Sequence, residues 1–116
     1  IQIESLAGAS AIDEIVRVPG IDWIWTGPCD MSGTTGRFLD LENPVLWQNL
    51  RRVFEVAQAA HIPTGNPLVG VNTIDDQNAL GCQLVVLGED TAFLQQAVDR
   101  AVQEFREYVA SRGKQP

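Results

Sequence analysis

Basic residues are scarce in this chain. Lysine occurs once, at Lys114, and histidine once, at His61. Lysine and arginine together number 8 against 15 acids, a formal charge of −7 over 116 residues. Only Arg51 and Arg52 are adjacent, so no basic footprint for a nucleic acid exists. No apolar run approaches the ~20 residues that cross a bilayer, and no basic-then-apolar leader opens the sequence, so no membrane or secretory role is expected. The two cysteines, Cys29 and Cys82, form no CxxC and no zinc spacing, which points to reduced thiols in the cytoplasm. With 45% hydrophobic and 20% charged residues, the composition is that of a folded domain.

What is present is an alternation of strand and helix patterns. Ile1 to Glu4 reads as a short strand, a core element at the chain's first residue, which predicts a fragment of a longer polypeptide. Ser10 reads as the cap of a helix with Asp13 and Glu14 in its first turn, and Pro19-Gly20 ends it. Ile21 to Thr26 is a second strand, apolar as if covered on both faces, followed by a loop from Gly27 to Gly36. Asn43-Pro44 starts a long helix with Leu46, Leu50, Val53, Phe54 and Ala57 on one face. Thr64 to Val69 is a third strand. Thr73 and Asp76 form a capping box, and Gly81 ends that helix. Gln83 to Leu87 is the fourth strand, and Ala92 to about Ser111 the last helix.

Strand and helix alternating four times predicts an α/β fold with four parallel strand–helix units and right-handed crossovers. Residues 1–116 then make either a small open sheet or the C-terminal half of a TIM (β/α)8 barrel, whose full length is about 250 residues. The start inside a strand favours the half barrel.

Active groups in such folds stand just past the C-terminal ends of strands. There the sequence places Gln2, Glu4 and Ser5, then Cys29, Asp30 and Ser32, then Asn66, Pro67 and Asn72, then Glu89 and Asp90. Glu4 and Asp30, on successive strands, can face one hard divalent ion such as Mg²⁺ or Mn²⁺. Each acid reads equally as a solvated strand end or a helix cap. Trp23 and Trp25 alternate on the second strand and are expected in the core, Trp47 in packing or an interface. His61 reads as a solvated turn residue at the opposite end.

The segments Ile1-Gln2-Ile3-Glu4-Ser5, Val18-Pro19-Gly20-Ile21-Asp22, Gly27-Pro28-Cys29-Asp30-Met31-Ser32 and Leu87-Gly88-Glu89-Asp90-Thr91, in this order, resemble the HpcH/HpaI aldolase/citrate lyase family. The resemblance covers nearly the whole chain. It implies a metal-dependent pyruvate aldolase on a TIM barrel, with roughly strands 5–8 carried here. It further implies that Glu4 and Asp30 hold the ion (Mg²⁺ or Mn²⁺, with Co²⁺ possible). Gln2 and Cys29 would contact the 2-oxo acid, pyruvate or oxaloacetate, with Asp30 and Pro67 beside it and an aldehyde as the other product. The family's histidine and arginine match nothing here, so no catalytic base is expected within these 116 residues, and the chain alone is expected to be inactive.

The chemistry is consistent with that resemblance. Cleavage of a 4-hydroxy-2-oxo acid leaves a pyruvate enolate, which a divalent ion stabilises as a Lewis acid. Backbone N–H groups between Gly27 and Asp30 are candidate oxyanion donors. The only lysine, Lys114, lies in the tail, so a Schiff-base route is not expected. Cys29 stands where relatives carry a small or polar residue, and Asn66-Pro67 departs from their Gly-Ile or Phe-Leu types. The competing readings are a flavodoxin-like ion- or phosphate-binding module, a citryl- or malyl-CoA-type lyase, and a half barrel that closes by pairing with a second chain. Homo-oligomerisation is expected because open strand edges and an apolar last helix both seek cover.

Overall fold

The computed structural model describes residues 1–69 and 73–112, so Asn72 and Lys114 lie outside the described residues. Ten elements follow one another: β1 (Gln2–Ile3), α1 (Leu6–Ser10), α2 (Ile12–Ile15), β2 (Ile24–Thr26), α3 (Pro28–Thr34), α4 (Pro44–Ala59), β3 (Thr64–Pro67), α5 (Ile74–Ala79), β4 (Leu84–Val86) and α6 (Asp90–Arg112). The strands form one parallel sheet in the order β1-β2-β3-β4. Sequential order without a reversal is the arrangement of a barrel arc. A doubly wound flavodoxin-like sheet reverses its order and carries helices on both faces, which removes that reading.

Register explains why only one face is covered. Gln2 pairs with Trp25, Trp25 with Gly65, and Gly65 with Leu84, so these four residues share one face. On the other face, Ile3, Ile24, Thr26, Thr64 and Asn66 are buried. There Ile3 and Ile24 join Ile12, Met31, Leu50, Val53 and Phe54 in the core under the helices. The Trp25 face has no helix over it: Leu84 and Val86 are 46% and 43% exposed.

Trp23 and Trp25 are therefore not in the core. Trp23 is 38% exposed, Trp25 is half-buried on the bare face, and their rings stand 5.8 Å apart at 57°. Both lie over Gly65, where an added Cβ would meet Trp25 at 2.6 Å and Trp23 at 3.0 Å. The sequence pattern predicts cover on both faces; among the described residues nothing covers Leu84 and Val86 on this side.

Local chemistry accounts for the helices. Asn43 Oδ1 accepts the Val45 N–H at 3.0 Å, and Pro44 opens α4. Trp47 packs half-buried against the core and donates its indole N–H to the Leu41 carbonyl at 2.6 Å. The helix with Asp13 and Glu14 in its first turn is α2, which starts after Ala11 without a side-chain cap bond, so Ser10 does not cap it. Ser10 instead ends α1, whose cap is Ser5, with Oγ accepting the Gly8 N–H. The expected loop from Gly27 is α3 instead. Its hydroxyls bond back to carbonyls three residues earlier, Ser32 to Cys29 and Thr34 to Met31, so residues that favour turns are tolerated in a helix. The last helix begins at Asp90, two residues before the expected start, because the Asp90 carboxylate accepts the Thr91 N–H at 2.8 Å. None of its residues is buried, and the molecule extends 72 Å along its long axis.

Two outcomes follow. Gly65→Ala should cost about 1–3 kcal/mol through overpacking, read by urea denaturation, and Trp25→Leu in the same chain should recover part of it. Asp76 accepts both the N–H and the O–H of Thr73 at 2.8 Å, and these bonds, the backbone one foremost, lower its pKa. Its contribution to stability is present above the unfolded value of about 4 and is lost as pH falls through the lower folded value. The stability difference between wild type and Asp76→Asn should therefore shrink as urea midpoints are followed from neutral pH into acid.

Candidate functional site

The ends of all four strands and the start of α6 enclose a hollow of about 370 Å³ on the bare face, lined among others by Gln2, Cys29, Asp30, Pro67 and Glu89. Parity decides which side chains reach it. Gln2 and Glu4 share a face of the first strand, and the Gln2 amide donates to Glu4 Oε2 at 2.6 Å. Glu4 lies against Gly27: a Cβ there would stand 2.7 Å from Glu4 Cβ and 2.9 Å from Gln2 Nε2. Glycine is thus required where β2 passes beneath the two side chains, and α3 starts directly after it with Pro28, Cys29 and Asp30.

Glu4 and Asp30 are both exposed, and among the described residues neither is in an ion pair. Glu4 keeps its second oxygen beyond the bond from Gln2, and Asp30 lines the hollow while Glu4 stands outside its lining. Carboxylates offer hard oxygen donors, which suit a divalent cation. Among the described residues no group of three or more His, Cys, Asp or Glu assembles to hold a metal, so any ion here would complete its shell with water or ligand. The Gly27 N–H donates to the Ile3 carbonyl at 3.0 Å and Pro28 has no N–H, which removes two of the expected oxyanion donors.

Burial raises the Cys29 pKa first, and the charges of Asp30 and Glu89 raise it further. The residue is therefore a neutral thiol at neutral pH, a small wall element and a poor soft-metal ligand. Glu89, read with Asp90 as a helix cap, stands directly before α6, where its carbonyl accepts the Phe93 N–H at 3.0 Å, and it also lines the hollow, while Asp90 is the first residue of the helix. Trp25, Val86 and Ala92 also line it and were not singled out as site residues. Alternation along β2 would have placed Trp25 beside Gln2.

Other polar residues go elsewhere. Asn66 shares the parity of Thr64 and points to the helix side, fully buried. It accepts the Thr26 hydroxyl and donates to Gln77 Oε1 at 2.9 Å, joining β2, β3 and α5 beneath the site. Gln77 Nε2 is buried without a partner. Ser5 serves as a cap, and Ser32 is buried, accepting the Leu39 N–H at 2.7 Å. His61 is exposed at the end of α4, with φ 59°, in the turn that precedes β3. A second hollow of about 440 Å³ is lined by Gln48, Asn49, Arg51, Arg52 and Glu55 of α4, not by strand ends.

No family model matches the chain. Among curated proteins it is 32% identical over 110 residues to the 2-keto-3-deoxy-L-rhamnonate aldolase of Klebsiella pneumoniae, covering 91% of this chain and 40% of that protein. It is 30% identical over 111 residues to the hydroxypyruvate/pyruvate aldolase of Deinococcus radiodurans, covering 92% and 39%. Among solved structures, an HpcH/HpaI aldolase/citrate lyase family protein from Burkholderia cenocepacia superposes with TM-score 0.83 at 26% identity, covering 90% of this chain and 41% of the other. The HpcH/HpaI aldolase of Desulfitobacterium hafniense gives 0.80 at 25%, covering 91% and 41%. The chain thus spans about two fifths of the length of these relatives. Likeness in sequence and in fold makes this chain a relative of the HpcH/HpaI aldolases, matching the C-terminal part of their TIM barrel.

Proposed function

We propose that this chain is the C-terminal half of a metal-dependent carbon–carbon lyase that cleaves or forms 4-hydroxy-2-oxo acids, releasing pyruvate or a close 2-oxo acid and an aldehyde. The observation that carries the reading is the convergence of Gln2, Cys29, Asp30 and Pro67, from three separate strand ends, on one hollow. The names of the aldolase relatives support it.

Glu4 and Asp30 would hold the ion, Mg²⁺ or Mn²⁺ with Co²⁺ as a further option. When bound, it supplies positive charge that draws electrons from a 2-oxo group. Gln2 orients Glu4 through its amide N–H, which donates to Glu4 Oε2. Cys29 and Pro67 bound the space in which the 2-oxo acid lies, Cys29 as an uncharged thiol. No lysine, arginine or histidine lines the hollow among the described residues, and the family's histidine and arginine match nothing in these 116 residues, so we assign proton transfer to a group outside this chain. The 116 residues alone should therefore bind ion and 2-oxo acid but show no turnover.

The partner of this half is a further copy of the protein as well as its own upstream half. Seven apolar side chains of α6, from Phe93 to Val109, are 42–67% exposed, a stripe that association would bury. We place the protein in the cytoplasm, in keeping with two free cysteines. Among the described residues no helix is long and apolar enough to cross a membrane.

Calorimetry with Mn²⁺ and pyruvate tests the site. Asp30→Asn should bind Mn²⁺ about tenfold or more weakly than wild type, and equal affinity would defeat the assignment. Sedimentation equilibrium over a hundredfold concentration range tests the partner. Wild type should self-associate and Leu94→Glu/Phe105→Glu should not; a wild-type monomer throughout would exclude association through α6.

A further inference from the structure

The lining of the hollow is chemically mixed. Gln2 and Asp30 are the groups assigned above to the 2-oxo acid. Trp25, Leu68, Val86 and Ala92 add apolar surface, and Glu89 is a second carboxylate. Among the described residues no lysine, arginine or histidine lines the hollow. Trp25 is held in place from below, because Gly65 leaves the ring no gap to fall into: an added Cβ would already stand 2.6 Å from it.

Resting on the aldolase reading, we propose that the second substrate is an uncharged aldehyde with an apolar substituent, selected by contact with Trp25 and by exclusion of anions at Glu89. The argument is one of differential affinity. Carbons beyond the 2-oxo acid enter a wall that offers burial and few hydrogen bonds, so apolar groups gain and hydroxylated groups lose their water without replacement. An acceptor bearing its own carboxylate meets Glu89, and among the described residues no lysine, arginine or histidine lines the hollow to offset that charge. Repulsion between like charges is the means by which a site rejects a near-isostere. The second hollow, on α4, offers nothing comparable.

Paired probes of equal carbon count read this directly. 2-Oxohexanoate and 2-oxoadipate share the metal-chelating 2-oxo acid end and six carbons, and differ in a terminal carboxylate. Their dissociation constants, with pyruvate as the reference, are measured by calorimetry and Trp fluorescence on the full chain with saturating Mn²⁺. The apolar-tailed acid should bind about tenfold more tightly than the dicarboxylate. Glu89→Gln should narrow that ratio by rescuing 2-oxoadipate, and Trp25→Ala should narrow it by weakening 2-oxohexanoate. Pyruvate bound in a Mn²⁺-dependent way, with a ratio of one or a ratio that Glu89→Gln leaves unchanged, overturns the inference alone. Failure of pyruvate to bind brings down the aldolase reading, and this inference with it.

Discussion

A parallel sheet covered on one face only is the constraint from which the rest follows. Because side chains alternate along a strand, in-register pairing sorts every strand residue onto one of two faces. Ile3, Ile24, Thr26, Thr64 and Asn66 fall under the helices and join the buried interior. Gln2, Trp25, Gly65 and Leu84 fall on the bare face, and of these Gln2 and Trp25 line the hollow. A shift of one residue in β2 would exchange Trp25 for Thr26 and turn the hollow's floor into the core. The buried hydrogen bonds from Thr26 to Asn66 and from Asn66 to Gln77 oppose such a slip, since each would become an unsatisfied polar group.

Much of this architecture can be read from local chemistry. Asn43-Pro44 and the Thr73–Asp76 pair mark helix starts through bonds between a side chain and backbone a few residues away, which a sequence displays directly. Alternation of strand and helix patterns gives the parallel sheet for the same reason. Ser5 and α3 were harder to see. Gly8 and Gly33 lower helix propensity, and the Ser/Thr run after Met31 looks like a turn until its hydroxyls are found bonded to carbonyls within the helix.

Position at a strand end is legible in the sequence: Gln2 and Pro67 line the hollow by strand parity, and Cys29 and Asp30 line it from the start of α3, whereas Glu4 stands outside the lining. Parity also removes Asn66, one residue before Pro67 and hence on the opposite face. The tryptophans were misjudged because an apolar residue facing a helix and one facing the centre of a barrel look alike in sequence. Only the pairing of Trp25 with Gly65 and Gln2 distinguishes them. Glu89 is ambiguous for a related reason, since an acid before a helix is a natural cap and this one stands before α6 and lines the hollow as well.

The tryptophan pair has an optical consequence. Two indoles with centroids 5.8 Å apart and planes inclined by 57° couple their transition dipoles, and the inclination makes that coupling chiral. Such a pair gives a bisignate circular dichroism band that vanishes once the rings move apart. Gly65 lies under both rings, so the band exists only while β2 and β3 keep their native alignment. The chain thus carries its own spectroscopic gauge of strand register, located at the floor of the hollow and independent of any added label.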